Sequence, residues 1–136
     1  MSARRIALLM VMTTLSAGCE TTIFSPTPVA DTATLLKEFS SQLLPGGTAS
    51  RDFDVATAGP IGITLASTTP DGVVIGLGIG IPRGNGSCAL SSAVETAAGT
   101  TAQITLAADT GSYCARVYDL GTLTAPLPFT ISISRP

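Results

Sequence analysis

Three cysteines, nine carboxylates and one strip of alternating glycines are the groups in this 136-residue chain whose types and spacing could do chemistry. Histidine is absent, so no cysteine or serine has the usual general base. Cys88 and Cys114 stand far apart, without the Cys-x-x-Cys spacing of a redox pair. Asp52, Asp54, Asp71, Asp109 and Asp119 raise a calcium question, because hard cations want oxygen ligands. No Asp-x-Asp-x-Asp-Gly loop is present, and Asp71, Asp109 and Asp119 sit near glycines where turns need local hydrogen bonding. These positions predict no metal site, no cofactor and no catalytic residue.

Residues 76–80, GLGIG, superficially match a phosphate loop. The third glycine of the dinucleotide fingerprint is missing and no helix-forming run follows. A strand explains the pattern better. Val73, Ile75, Leu77, Ile79 and Ile81 would share one face, and Val74, Gly76, Gly78 and Gly80 the other. Close packing is the favoured expectation for the bare face. The functional alternative makes Gly76, Gly78 and Gly80 the floor of a shallow groove for a glycan or peptide. Asn85-Gly86-Ser87 matches a glycosylation sequon and also reads as a plain turn.

Cys19 is different from the other two cysteines. Arg4 and Arg5 precede an apolar run, Ile6 to Leu15, and three small residues, Ser16-Ala17-Gly18. Residues 1–18 read as an export signal, since the run is well short of the ~20 residues that span a bilayer. LSAG followed by Cys19 resembles the lipobox of bacterial lipoproteins. That resemblance implies cleavage after Gly18 and acylation of Cys19, so that a membrane is a partner through the anchor. An acidic residue after the cysteine can influence sorting in that family, but Glu20 does not select a leaflet. The resemblance also places the chain outside the cytoplasm, in the cell envelope, where thiols oxidise, and this predicts a Cys88–Cys114 disulfide.

The elements that must position these residues are short. Residues 19–33 carry the lipidated end and a Pro- and Thr-containing tether. From residue 34 to 136, Thr-, Ile- and Val-rich runs are broken at Pro45-Gly46-Gly47, Gly59-Pro60, Pro70-Asp71-Gly72, Gly84-Asn85-Gly86, Ala98-Gly99, Asp109-Thr110-Gly111 and Asp119-Leu120-Gly121. Alternation is clear at Phe53 and Val55, at Ile61, Ile63 and Leu65, and at Leu127, Phe129, Ile131 and Ile133. Asp52 and Asp54 then fall on a solvent face. Tyr113 and Tyr118 fall on opposite faces, with Arg116 beside Cys114 and Tyr118. Residues 32–44 fit either helix or strand. A strand from about 36 to 44 is preferred, with Leu35, Phe39 and Leu43 on one side and the 45–47 turn leading into a hairpin. The expected fold is all-β: an antiparallel, jelly-roll-like sandwich of about seven or eight strands.

At the fold level, LLPGGTASRDFDV, GPIGITLAS, DTGSYCARVYD and FTISI, in that order, resemble pieces of pre-peptidase C-terminal domains. The resemblance implies a non-catalytic appendage and transfers no site residue. Only seven Lys and Arg are present, and removal of Arg4 and Arg5 leaves five against nine acids, a balance of about −4. This argues against nucleic acid. The expected role is a membrane-anchored envelope module that binds a protein or glycan, or is structural. A weak carbohydrate- or peptide-binding domain is the second reading and an enzyme or enzyme accessory domain the third.

Overall fold

The structure, a computed structural model, describes residues 34–136. The signal segment, Cys19 and the tether lie outside the described residues. Eight strands follow one another: β1 (Thr34–Leu43), β2 (Thr48–Val55), β3 (Gly59–Thr68), β4 (Ile75–Pro82), β5 (Cys88–Thr96), β6 (Ile104–Ala108), β7 (Gly111–Tyr118) and β8 (Leu127–Arg135). They form two four-stranded antiparallel sheets. Sheet A runs β1-β8-β3-β6 and sheet B runs β2-β7-β4-β5. This order is that of a jelly roll, in which two interlocked Greek keys close a sandwich. Every connection except the β4–β5 hairpin passes from one sheet to the other. Among the described residues no helix is long and apolar enough to cross a membrane.

The core follows from the alternation. Phe53 and Val55, Ile61, Ile63 and Leu65, Ile75, Leu77 and Ile79, Ala115 and Val117, and Leu127 through Ile133 at every second position are all buried between the sheets. Burying one such side chain contributes roughly 1.5–3 kcal/mol. Phe53 and Tyr113 are cross-strand partners, and their rings stack at 5.9 Å. Such pairs stabilise a sheet beyond their buried area.

Residues 34–43 are strand, not helix. Pairing with β8, from Thr34 opposite Arg135 to Leu43 opposite Leu127, decides the ambiguity. Phe39 and Leu43 face the core opposite Ile131 and Leu127. Leu35 does not join them. A bulge between Leu35 and Lys37 reverses the facing of the strand, leaving Leu35 55% exposed and giving Lys37 the core-side position opposite Ile133. The Pro45-Gly46-Gly47 turn corrects a second expectation. It makes no hairpin, because β1 belongs to sheet A and β2 to sheet B. Its partner is the β7–β8 connection: Asp119 Oδ2 accepts from Gly46 N–H at 2.7 Å, and Asp119 N–H donates to the Gly47 carbonyl at 3.1 Å. Oδ1 of the same carboxylate accepts from Gly121, Thr122 and Leu123 N–H groups.

Candidate functional site: the outer face of sheet B

The glycine strip is built where it was expected and is covered by its own neighbours. Gly76, Gly78 and Gly80 alternate with the core residues Ile75, Leu77 and Ile79 and are buried. Strand β4 lies between β7 and β5, so both neighbours can reach over it. A Cβ on Gly76 would run into the ring of Tyr118, its register partner on β7. One on Gly78 would lie 2.7 Å from Leu90 Cδ2. One on Gly80 would collide with the Ala89 carbonyl and stand 2.7 Å from Leu90 Cα. The strip is therefore a bed for a tyrosine ring, a leucine side chain and the backbone of β5, and its floor is not open. Ile81 departs from the expected core face and is 52% exposed, because β4–β7 pairing stops at Gly80.

Close approach at Gly80 explains how the disulfide forms. Cys88 opens β5 and Cys114 lies on β7, with β4 between them. Strands two places apart in a flat sheet stand about 9–10 Å from each other. The two Cα atoms are 5.9 Å apart and the cysteines are bonded. A bulge at Ser91, the extra residue of β5 opposite Ile79 and Gly80, rolls the start of β5 over β4, and only a residue without a side chain at position 80 leaves room for it. The Cys88–Cys114 pairing expected from the export reading is present, and glycine and cysteine are parts of one device.

Beside this staple lies a polar groove. Loop 83–87 closes on itself: Arg83 N–H donates to the Ser87 carbonyl at 3.1 Å, and Asn85 Oδ1 accepts from Ser87 N–H at 3.1 Å. Ser50 on β2 holds the loop through the Gly86 carbonyl. Three adjoining depressions surround the loop. One of about 260 Å³ contains Thr48, Ser50 and Arg116, and one of about 470 Å³ contains Arg83. The third, of about 400 Å³, opens at the seam between β1 and β2 and contains Lys37, Phe39 and Arg51. Arg116 has the expected face, shared with Cys114 and Tyr118, and its guanidinium carbon is 5.9 Å from the Tyr118 ring centre. Its Nε is buried and has no hydrogen-bond partner among the described residues.

The other expected positions are structural. Asp52 and Asp54 are exposed, and Asp54 accepts from Ser112 Oγ at 2.6 Å. Tyr113 is half-buried, and its hydroxyl donates to the Asp109 carbonyl and accepts from the Asp109 N–H. Among the described residues no three Cys, Asp or Glu side chains gather as metal ligands.

The outer face of sheet A holds a depression of about 370 Å³ without a charged side chain, lined by Pro60, Ala102, Leu106, Ala107 and Pro136 among others. Segment 97–103 covers part of this face. Gln103 fastens it by substituting for a strand: its Oε1 accepts from Leu65 N–H at 2.7 Å and its Nε2 donates to the Leu65 carbonyl at 3.3 Å. This occurs where β3 bulges after Leu65. The role of Gln103 and the gathering of four cations carried no recognisable motif in the sequence.

No family model matches the chain, and no curated protein matches it.

Proposed function

We propose that this chain is a bacterial envelope lipoprotein whose folded domain is a non-catalytic interaction or structural module. The observation that carries the reading is the Cys88–Cys114 bond. A structural disulfide belongs to an oxidising compartment, and residues 1–18 have the composition of a signal that delivers a chain to one. Two of the three cysteines are thereby used on the fold. The third, Cys19, stands directly after the small residues at which such a signal is cut, the position of the acylated cysteine in lipoproteins. Two or three acyl chains would hold the domain firmly, at ~0.8 kcal/mol per buried methylene.

The test is expression of the full chain in a bacterium fed a labelled fatty acid. The native protein is expected to carry label and to sediment with membranes until detergent is added. Cys19→Ala should carry none and should leave the membrane fraction. A native protein that is soluble without detergent and unmodified at Cys19 would remove the anchor from the proposal.

A further inference from the structure

We propose that the groove around loop 83–87 binds an acidic oligosaccharide, through guanidinium contacts to its carboxylates. The inference goes beyond the anchor reading and does not depend on it. The described residues contain five cationic side chains, and four of them, Lys37, Arg51, Arg83 and Arg116, line the three adjoining depressions. Asp52 is the one acid among them. This gathering occurs on a chain whose net charge is −2, so the patch opposes the overall balance. Charges of one sign along a groove focus a field that draws an anion to it.

Arg116 supplies the second line of argument. It lines the depression beside the loop, and carboxylate oxygens fit the planar fork of its guanidinium. The neutral groups around it are hydroxyls and amides: Thr48, Ser50, Asn85 and Ser87. These suit sugar hydroxyls. The Tyr118 ring beside Arg116 adds an apolar flank. The shape favours an oligomer. The middle depression shares Asn85 and Ser87 with the one holding Arg83, and Ser50 and Gly86 with the one holding Lys37 and Arg51, so the three lead from the outer face of sheet B to the β1–β2 seam. A flexible chain of acidic sugars follows such a bent path, whereas a flat bilayer surface does not.

The experiment uses the full-length protein in detergent, titrated with oligogalacturonate, with dextran of similar length, and with phosphatidylglycerol vesicles. Oligogalacturonate is expected to bind, more weakly as salt rises. Arg83→Ala and Arg51→Ala are exposed changes that leave melting unchanged, and each should weaken binding about fivefold to tenfold. Arg116→Gln should weaken it more than tenfold. Arg135→Ala, the described cation outside the groove, should have no effect on binding. Equal binding of dextran would overturn the proposal, as would oligogalacturonate affinity indifferent to Arg83→Ala and Arg51→Ala. Binding to the vesicles alone would replace the glycan with a lipid surface and overturn it too.

Discussion

On the outer face of sheet A, a glutamine holds the covering segment; on the outer face of sheet B, a disulfide holds the covering strand. Both faces have a glycine beneath the cover. Above Gly62 lies the Ala102 methyl group, 2.9 Å from where a Cβ would stand. Above Gly80 lies the backbone of Ala89 and Leu90. The difference is one of compliance. Segment 97–103 is tied by hydrogen bonds from Gln103 and Gly99 and can shift a few tenths of an ångström. The start of β5 is tied on one side by its pairing with β4 and on the other by a covalent bond to β7. The polar character of the two faces differs as well: the depression on sheet A has no charged lining, and the groove beside the disulfide gathers four cations.

The largest effect expected from this contrast is at Gly80. Overpacking commonly costs ~1–3 kcal/mol where side chains can move aside. At Gly80 backbone must move, and the disulfide restrains it, so Gly80→Val should fail to fold. Gly62→Val should fold and lose about 1–2 kcal/mol. Gly78→Val should fall between them, because Leu90 has rotamers to spare while the Ser92 carbonyl does not. Denaturant unfolding of the three variants measures the order. If Gly80→Val folds as stably as Gly62→Val, β5 does not lie on β4 as described.

Much of this architecture was legible in sequence. Six of the seven Gly-, Pro-, Asp- or Asn-containing breaks fall at connections, because those residues set turn geometry whatever the strands do next, whereas Gly59-Pro60 opens β3 itself, paired with Ala108 and Ala107. The inward faces of β2, β3 and β8, and of β4 at Ile75, Leu77 and Ile79, followed from alternation. Sheet membership did not, since Pro45-Gly46-Gly47 has the same chemistry whether it closes a hairpin or crosses a sandwich. The exposure of Leu35 escaped because a bulge leaves no residue signature at Leu36. The cationic groove escaped for another reason: Lys37, Arg51, Arg83 and Arg116 lie on four different segments, and only the register brings them together. Gln103 is a lone amide in a Thr- and Ala-rich run, and its meaning depends on a bulge in a strand nearly forty residues earlier.

A smaller effect separates the two clasps. Reducing Cys88–Cys114 opens a loop of 27 residues counting both ends, for which chain entropy gives roughly 3–4 kcal/mol. Gln103→Ala strips Leu65 N–H of its partner at a partly buried site, at a cost of about 1–3 kcal/mol. Thermal melting with and without reductant, in native and Gln103→Ala protein, should give losses in that order. They should be nearly additive, because the clasps sit on different sheets. Strong coupling between them would mean that the outer faces are not independent, and the contrast drawn between them would not hold.

The smallest effect lies where the two sheets are joined. The β1–β2 turn passes from sheet A to sheet B, the β7–β8 connection returns, and Asp119 ties the two at one end of the sandwich. The Gly46 N–H, with lesser help from those of Leu123, Thr122 and Gly121, holds the Asp119 carboxyl below its ordinary value of 3.8, against a partial opposing effect of desolvation. The charged form is thus favoured in the folded state. Its stabilisation is fully present above the unfolded value, and is lost as pH falls through the lower, folded one. Asp119 is solvent-exposed, so water screens much of the effect. Asp119→Asn keeps an acceptor but removes the charge. It should be less stable than the native protein at neutral pH, and the gap should close as acid protonates the native carboxyl. Urea unfolding of both proteins across the acid range checks this. Native and variant curves that stay parallel from neutral pH to the bottom of the acid limb would show that Asp119 contributes by shape alone.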